Sequence, residues 1–287
     1  MRIAYLGPAG TFSEDALRQS GFASEGFEPV PCDTIREVVE AIGAGAADRA
    51  LSPIENSIEG SIRGTLDGLV DQADHVAILG EYDHQIRSAL IARTELEPSE
   101  ITAVISHPQP LAQCARFLRD ELPGARLEVA DSTSSAVLRV SQSEGPVAAL
   151  APASAAALYD CRILREGIED EPGNVTRFVW LGDREAEPVA QQGPLWKTTL
   201  VFSELGADHP GALVDALLEF SARDINLIRI ESRPLRRELG RYRFFIDVEG
   251  PRTDRGVADA IAGLREKAES VRILGSYPVS IPGPAGV

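Results

Sequence analysis

The sequence predicts an α/β protein in two parts, and three observations carry that reading. Through residue 183 short apolar runs alternate with amphipathic stretches, the rhythm of parallel sheets covered by helices. Residues 184–196 break that rhythm with a polar segment containing Pro188, Gly193 and Pro194, which reads as a linker. From 197 to 280 a new pattern begins, strand–helix–strand–strand–helix–strand.

In the first part, residues 3–6 are apolar and run into Gly7, a strand ending in a turn. Ser13 is placed to cap a helix over 13–20, with Glu14 and Asp15 favourable in its first turn. A strand near 28–31 precedes an amphipathic helix over 34–44. A short strand at 50–53 then leads into Ile54-Glu55-Asn56-Ser57. Strands follow at 76–82, 85–91 and 101–106, then a helix over 110–121 and a strand at 127–130. A helix from 134, a strand at 147–151 and a helix at 153–158 continue the alternation. In the second part the strands fall at 197–204, 225–233, 241–249 and 271–279, and the helices at 210–223 and 254–268. This βαββαβ order in a short span is the ferredoxin-like arrangement. It holds no clustered acid, base and nucleophile. A small sheet with helices on one face commonly pairs with a copy of itself, so regulation or dimerisation suits it better than catalysis.

At 287 residues the chain has room for these two parts, and a charged fraction of 25% is ordinary for a globular protein. No run of about 18 apolar residues is present, and the N-terminus reads as a strand rather than a signal peptide. Cys32, Cys114 and Cys161 are odd in number and widely spaced, as expected of reduced thiols in a cytoplasmic protein. His75, His84, His107 and His209 have no ligand spacing, and no metal is expected. The net charge of −16 is uneven. Through residue 185 there are 15 basic against 30 acidic residues, and beyond it 13 against 14. An acidic surface repels nucleic acid and anionic membrane, so neither is expected as a partner. An anionic substrate would have to be drawn by a local site.

In α/β sheets ligands gather at the carboxyl ends of strands. That rule selects the loops 7–13, 53–57, 106–110, 131–133 and 151–154, nearly all rich in hydroxyls and amides at helix starts, where free N–H groups suit carboxylates. To these is added the stretch 173–182. It opens on the turn pair Gly173-Asn174, presents Thr176 and Arg177, and enters an apolar strand at 178–181. Thr176 and Arg177 could offer a proton and bind a carboxylate; equally, the stretch could be a capped strand end with a solvated arginine.

Six segments carry a family likeness: YLGPAGTFSEDA at 5–16, PIENSIEGSI at 53–62, SHPQPLAQC at 106–114, GNVTRFVWLG at 173–182, PGAL at 210–213 and ESRP at 231–234. They run from end to end of a chain that resembles bacterial prephenate dehydratase with a C-terminal ACT regulatory domain. The resemblance implies a two-lobed catalytic region over 1–183, folded like type II periplasmic binding proteins. Lobe one would span about 1–78 plus 168–183, lobe two about 79–167, and the ACT domain 197–280. It implies decarboxylating dehydration of prephenate to phenylpyruvate, regulated by phenylalanine, with no cofactor and no metal. By the same resemblance Thr176, Glu55, Asn56 and Ser57 would be catalytic. Thr11, Phe12, Ser13, Ser106, His107, Gln109, Ser132, Thr133, Asn174, Arg177 and Phe178 would line the substrate site, with Arg177 either binding a carboxylate or bracing the loop. Gly211, Ala212, Leu213, Asn226, Leu227, Glu231, Ser232, Arg233 and Pro234 would hold L-phenylalanine, and the ACT domains would self-associate as a dimer or tetramer. Arogenate dehydratase and a non-catalytic amino-acid sensor are the alternatives. With no helical segment before Met1, no chorismate mutase activity is expected. Two departures from the family pattern are Asp224, where glycine is frequent, and Pro110, where alanine is.

Overall fold

The computed structural model describes residues 1–21, 26–189, 195–205, 210–235 and 241–279; part of the expected linker (190–194) and residue 280 lie outside them. The first lobe is built from β1 (Arg2–Leu6), α1 (Phe12–Gln19), β2 (Glu28–Cys32), α2 (Ile35–Gly43), β3 (Arg49–Asn56), the short β4 (Gly60–Ser61), α3 (Arg63–Asp71) and β5 (Val76–Gln85). The chain then crosses to the second lobe: β6 (Ala89–Ala92), β7 (Ala103–Ser106), α4 (Pro108–Gln113), α5 (Ala115–Glu121), β8 (Arg126–Val129), α6 (Thr133–Ser141), β9 (Val147–Ala151), α7 (Ser154–Leu158) and β10 (Arg162–Glu166). It returns through β11 (Val175–Asp183), which lies antiparallel between β3 and β5 in the first sheet. The C-terminal unit follows as β12 (Trp196–Ser203), α8 (Ala212–Ser221), β13 (Leu227–Pro234), β14 (Tyr242–Glu249), α9 (Arg255–Arg265) and β15 (Ser270–Pro278).

The chain crosses between the lobes twice and leaves a cleft between them. The second lobe's sheet runs β10-β6-β9-β7-β8. Both lobe sheets are mixed: β1 pairs in parallel with β2 and β3, and β7 with β8 and β9, but β11, β6 and β10 run antiparallel to their neighbours. The expected lobe boundary at 78 moves to about Gln85, because β5 pairs with β11 along its whole length.

Local differences from the expected elements have physical causes. Thr11, not Ser13, caps α1; its hydroxyl accepts from the Glu14 amide and donates to the Leu6 carbonyl at 3.1 Å. The helix expected over 110–121 breaks at Cys114 into α4 and α5. Helix α3 escapes the sequence pattern because Gly64 and Gly68 dilute its helical propensity. Strand β10 escapes because it is a short edge strand with no buried position, whose apolar residues Ile163 and Leu164 are adjacent rather than alternating. Asp224 adopts φ 57°, the left-handed conformation that explains the family's preference for glycine there.

The C-terminal sheet, β13-β14-β12-β15, joins the first lobe through a parallel bridge between Gly275 and Ile78, giving one ten-stranded sheet. Val201, Phe245, Leu274 and Tyr277 share a buried cluster with Ile54, Ile78, Val179 and Leu181 of the first lobe. The described part of the linker is pinned too: Arg184 donates to the carbonyls of Ala73 (2.7 Å) and Ile273 (3.1 Å), and the Val189 amide to Leu79. A Cβ on Gly275 would collide with the Ile78 carbonyl. Gly275→Ala is therefore expected to destabilise the protein by about 1–3 kcal/mol. Thermal unfolding tests this, and an unchanged transition would mean that the bridge does not hold the units together.

Candidate active site

Strand β11 lies between β5 and β3 in the first-lobe sheet, and its alternation decides what meets the cleft. Thr176 and Phe178 face a cavity of about 640 Å³ between the lobes. From the first lobe Phe12, Ser13 and Asn56 join them; from the second come His107, Gln109 and Gln113. The turn before β11 is made by Gly173 at φ 90°, which swings Asn174 into the same wall. Behind the floor, His84 is buried edge-on to Phe178, with its Nε2 3.2 Å from Asp15.

Asn56 organises this wall. Its Oδ1 accepts from the amides of Ile58 (3.0 Å) and Glu59 (2.9 Å). Amides only donate, so the amide group cannot be flipped and Nδ2 must face the other way. There it lies 2.7 Å from Asn174 Oδ1, 2.9 Å from Thr176 Oγ1 and 3.3 Å from the Val175 carbonyl, sharing its two hydrogens among them. Thr176 therefore accepts at its oxygen. Its own proton has no acceptor among the described residues and is free to point into the cleft. Asn174 Nδ2 reaches across the lobes to Gln113 Oε1 at 3.1 Å.

His107 caps α4, its Nδ1 accepting from the Gln109 amide. Several expected site residues lie elsewhere. Ser106 is fully buried, its hydroxyl given to the Leu150 carbonyl. Ser132 is the N-cap of α6 in a reciprocal box with Ser135, and Thr133 is buried in that helix's first turn. Ser57 stands outside the cavity wall, its Oγ accepting from the Val175 amide. Thr11 spends its hydroxyl on its own loop, as above. Residues that sequence reasoning passed over do line the cavity, among them Gln113, Glu59, Ile62 and Ile86. Gln113, Glu59 and Ile62 sit inside motif segments already quoted, which was the available signal.

Comparison with known proteins agrees with this geometry. Residues 3–186 match the family "Prephenate dehydratase", and residues 200–266 match "ACT domain". A prephenate dehydratase of Mycobacterium sp. (strain JLS) is 43% identical over 286 residues, covering 96% of this chain and 89% of that protein. The crystal structure of prephenate dehydratase in complex with L-Phe from Arthrobacter aurescens superposes with a TM-score of 0.88. It is 37% identical and covers 100% of this chain and 93% of the other. A solved structure described as a novel type of quorum-quenching acylase is 30% identical with a TM-score of 0.85, covering 98% of each chain. The chain belongs to the prephenate dehydratase family.

In this family member the far face of β11 is as informative as the near one. Arg177 points away from the cleft, toward the ACT domain, and is 9% exposed. Its Nε donates to Glu81 of β5, Nη1 to Asp247 of β14 and Nη2 to the Tyr277 hydroxyl of β15, each at 2.7 Å. The expectation of Arg177 as a carboxylate ligand is corrected: its nitrogens are engaged on the opposite face of the sheet. Glu55 is corrected with it, since its carboxylate lies 3.6 Å from Arg177 Nη1, outside the cavity wall. A bulge explains the pairing, because Ile54 is the extra residue where Arg177 opposes Glu55 and Phe178 opposes Pro53.

The expected effector residues divide in the same way. On β13, Arg229, Glu231 and Arg233 face inward, whereas Ile228, Ile230 and Ser232 face out. Arg233 donates to the Arg63 carbonyl and to Asp67 of α3, both at 3.0 Å, so it bridges ACT and catalytic regions. Gly211 is the left-handed N-cap of α8, with Ala212 and Leu213 in its first turn. Asn226 donates to Glu249 at 2.9 Å, and Leu227 packs on the ACT core. Pro234 ends β13, exposed.

Burial alone would raise the pKa of Asp247, but the facing Arg177 and Arg229 outweigh it and hold the carboxyl below its usual range. A group depressed in the folded state stabilises the fold fully above its unfolded pKa of about 4, and the contribution fades as pH falls through the lower folded value. The stability difference between the native protein and Asp247→Asn is thus expected to be constant above about pH 5 and to shrink below about pH 4. Melting curves across pH check this; a difference unchanged down to pH 2 would assign the effect to shape rather than charge.

Proposed function

We propose that this chain catalyses the decarboxylating dehydration of prephenate to phenylpyruvate, with the cleft of Thr176 as its site. The observation that carries the assignment is the Asn56–Thr176 hydrogen bond. As the bond to the ring carboxylate breaks, its electron pair moves through the ring and the C–O bond breaks, so CO2 and hydroxide depart and the ring becomes aromatic. Negative charge builds on the departing oxygen. A threonine hydroxyl is too weak an acid to ionise near neutrality, but it can donate a hydrogen bond to that oxygen, which solvent then protonates to water. Donation by Asn56 to Thr176 Oγ1 both polarises the hydroxyl and aims its proton outward. Such a fixed donor counts most where water is excluded. Phe12 and Phe178 supply apolar surface for the ring, and His107, Gln109 and Asn174 supply polar contacts.

The 43% identical relative from Mycobacterium sp. (strain JLS), a prephenate dehydratase, favours prephenate over arogenate. An acylase reading is not favoured by this geometry. A nucleophilic hydroxyl needs a base to take its proton, whereas Thr176 receives a donor, and among the described residues no histidine or carboxylate bonds to Thr176, Ser13 or Ser57.

The regulatory reading rests on the ACT domain. Its edge strand β13 presents Ile228 and Ile230, and α8 presents Val214 and Leu218, all at least 42% exposed. An unpaired edge with apolar neighbours suits pairing with a second copy. We assign L-phenylalanine to that edge, with its carboxylate at the α8 N-terminus. No helix among the described residues is long and apolar enough to cross a membrane. The three cysteines are free thiols, which suits a reducing compartment, the cytoplasm.

The test is conversion of prephenate to phenylpyruvate by the purified protein, with and without L-phenylalanine and beside arogenate and an acyl-homoserine lactone. Turnover of prephenate, altered by phenylalanine, is expected; activity on the lactone alone would overturn the assignment. Thr176→Ala should lower kcat by about 100- to 1,000-fold, with the melting temperature little changed. Near-native turnover in that variant would remove Thr176 from the mechanism.

A further inference from the structure

Asp247 stands between two arginines that belong to different parts of the molecule. Its Oδ2 accepts from Arg177 Nη1 at 2.7 Å, and the same oxygen lies 3.5 Å from Arg229 Nε on β13. Arg177 follows Thr176 directly in β11. Arg229 sits on the edge strand to which the effector and the second copy were assigned above. The two arginines are unequally satisfied. Arg177 has three short hydrogen bonds, to Glu81, Asp247 and Tyr277. Arg229 is buried yet none of its three nitrogens makes a hydrogen bond, and Glu231 is only within 3.9 Å. Buried guanidinium donors without acceptors gain from any shift that supplies one. Asp247 Oδ2, at 3.5 Å, is the nearer of the two acceptors beside it, the other being the equally unpartnered Glu231 Oε2 at 3.9 Å. Thr199 donates to Asp247 Oδ1 and shares a hydrogen bond with the Tyr277 hydroxyl.

We propose that Asp247 is a positioning residue for the catalytic strand, and that the contest between Arg177 and Arg229 for its carboxylate couples the ACT edge strand to Thr176. In the state seen here Asp247 is given to Arg177, which clamps β11 between β5 of the catalytic region and β14 and β15 of the ACT domain. A movement of β13 that brings Arg229 onto Asp247 weakens this clamp. The backbone at 176–177 is then released, and the Thr176 hydroxyl loses its aim. Such a shared acceptor is a two-state element that both sites bias. The effector half of the proposal rests on the phenylalanine reading above; the positioning half does not.

The experiment compares Asp247→Asn, Asp247→Glu, Tyr277→Phe and Arg229→Gln in the full-length protein, with Arg184→Gln as a control that loosens the same interface without touching Arg177. Steady-state kinetics on prephenate, phenylalanine binding by calorimetry and melting temperature are measured for each. Asp247→Asn and Tyr277→Phe should lower kcat by about three- to thirty-fold with KM within about two-fold. Asp247→Glu should recover part of that loss. Arg184→Gln should lower the melting temperature with kcat unchanged. Arg229→Gln should keep its basal kcat and still bind phenylalanine, but lose most of the phenylalanine effect on rate. Native kcat in both Asp247→Asn and Tyr277→Phe would overturn the positioning role; should Asp247→Asn not fold, Tyr277→Phe decides alone. A full phenylalanine response in Arg229→Gln would overturn the coupling. If the native protein neither binds nor answers phenylalanine, the effector assignment fails and the coupling with it, while the kcat arm still decides the role of Asp247.

Discussion

Because successive side chains of a strand point to opposite faces, β11 must deliver Thr176 and Phe178 to one side and Arg177 and Val179 to the other. Its place between β3 and β5 fixes which side is which. One face closes the cleft between lobes. The other is covered by α2 and α3 together with the ACT sheet, with Val179 in the shared apolar cluster and Arg177 in the buried ion network. Removing one partner from a buried ion pair costs about 3–5 kcal/mol, far more than an exposed pair is worth. The network is thus tolerable only when complete, and completeness demands that the ACT domain sit where Asp247 and Tyr277 reach Arg177.

The cleft is built on the same economy of polar groups. Asn56 is held by two backbone amides, so its orientation is not free, and Thr176 inherits a defined donor and a spare proton. Among the described residues the cavity wall contains no lysine or arginine, although the substrate is a dianion and the chain itself carries a net charge of −16. Attraction must then come from amides, hydroxyls and helix N-termini rather than from a charge pair. That arrangement leaves the polarity of the cleft modest, and a hydrogen bond to developing charge is worth most in such surroundings.

Much of this was legible in residue order. The strand–helix rhythm, the break after residue 183 and the βαββαβ unit follow from apolar periodicity, which the folded chain retains because each element buries one face. The loops at strand ends do hold Phe12, Ser13, Asn56, His107, Gln109 and Asn174 at the cavity. Less visible were α3 and β10, the one diluted by two glycines and the other a short edge strand with only two adjacent apolar residues. Equally hidden were the hydroxyls of Thr11, Ser106 and Ser132, which looked like ligands and are spent on carbonyls or caps.

By itself, then, the sequence determined the two-part α/β organisation, the motif segments and the presence of Thr176 and Arg177 side by side. Their adjacency looked like one site. Only the tertiary structure separated them, because the pleat sends neighbours to opposite faces and the identity of each face depends on what packs there. Which acceptor meets Arg177 is set by residues 70 and 100 positions away along the chain, Asp247 and Tyr277. No local pattern encodes such a contact. It exists because the ACT sheet docks edge to edge at Gly275 and carries a buried carboxylate to a buried guanidinium.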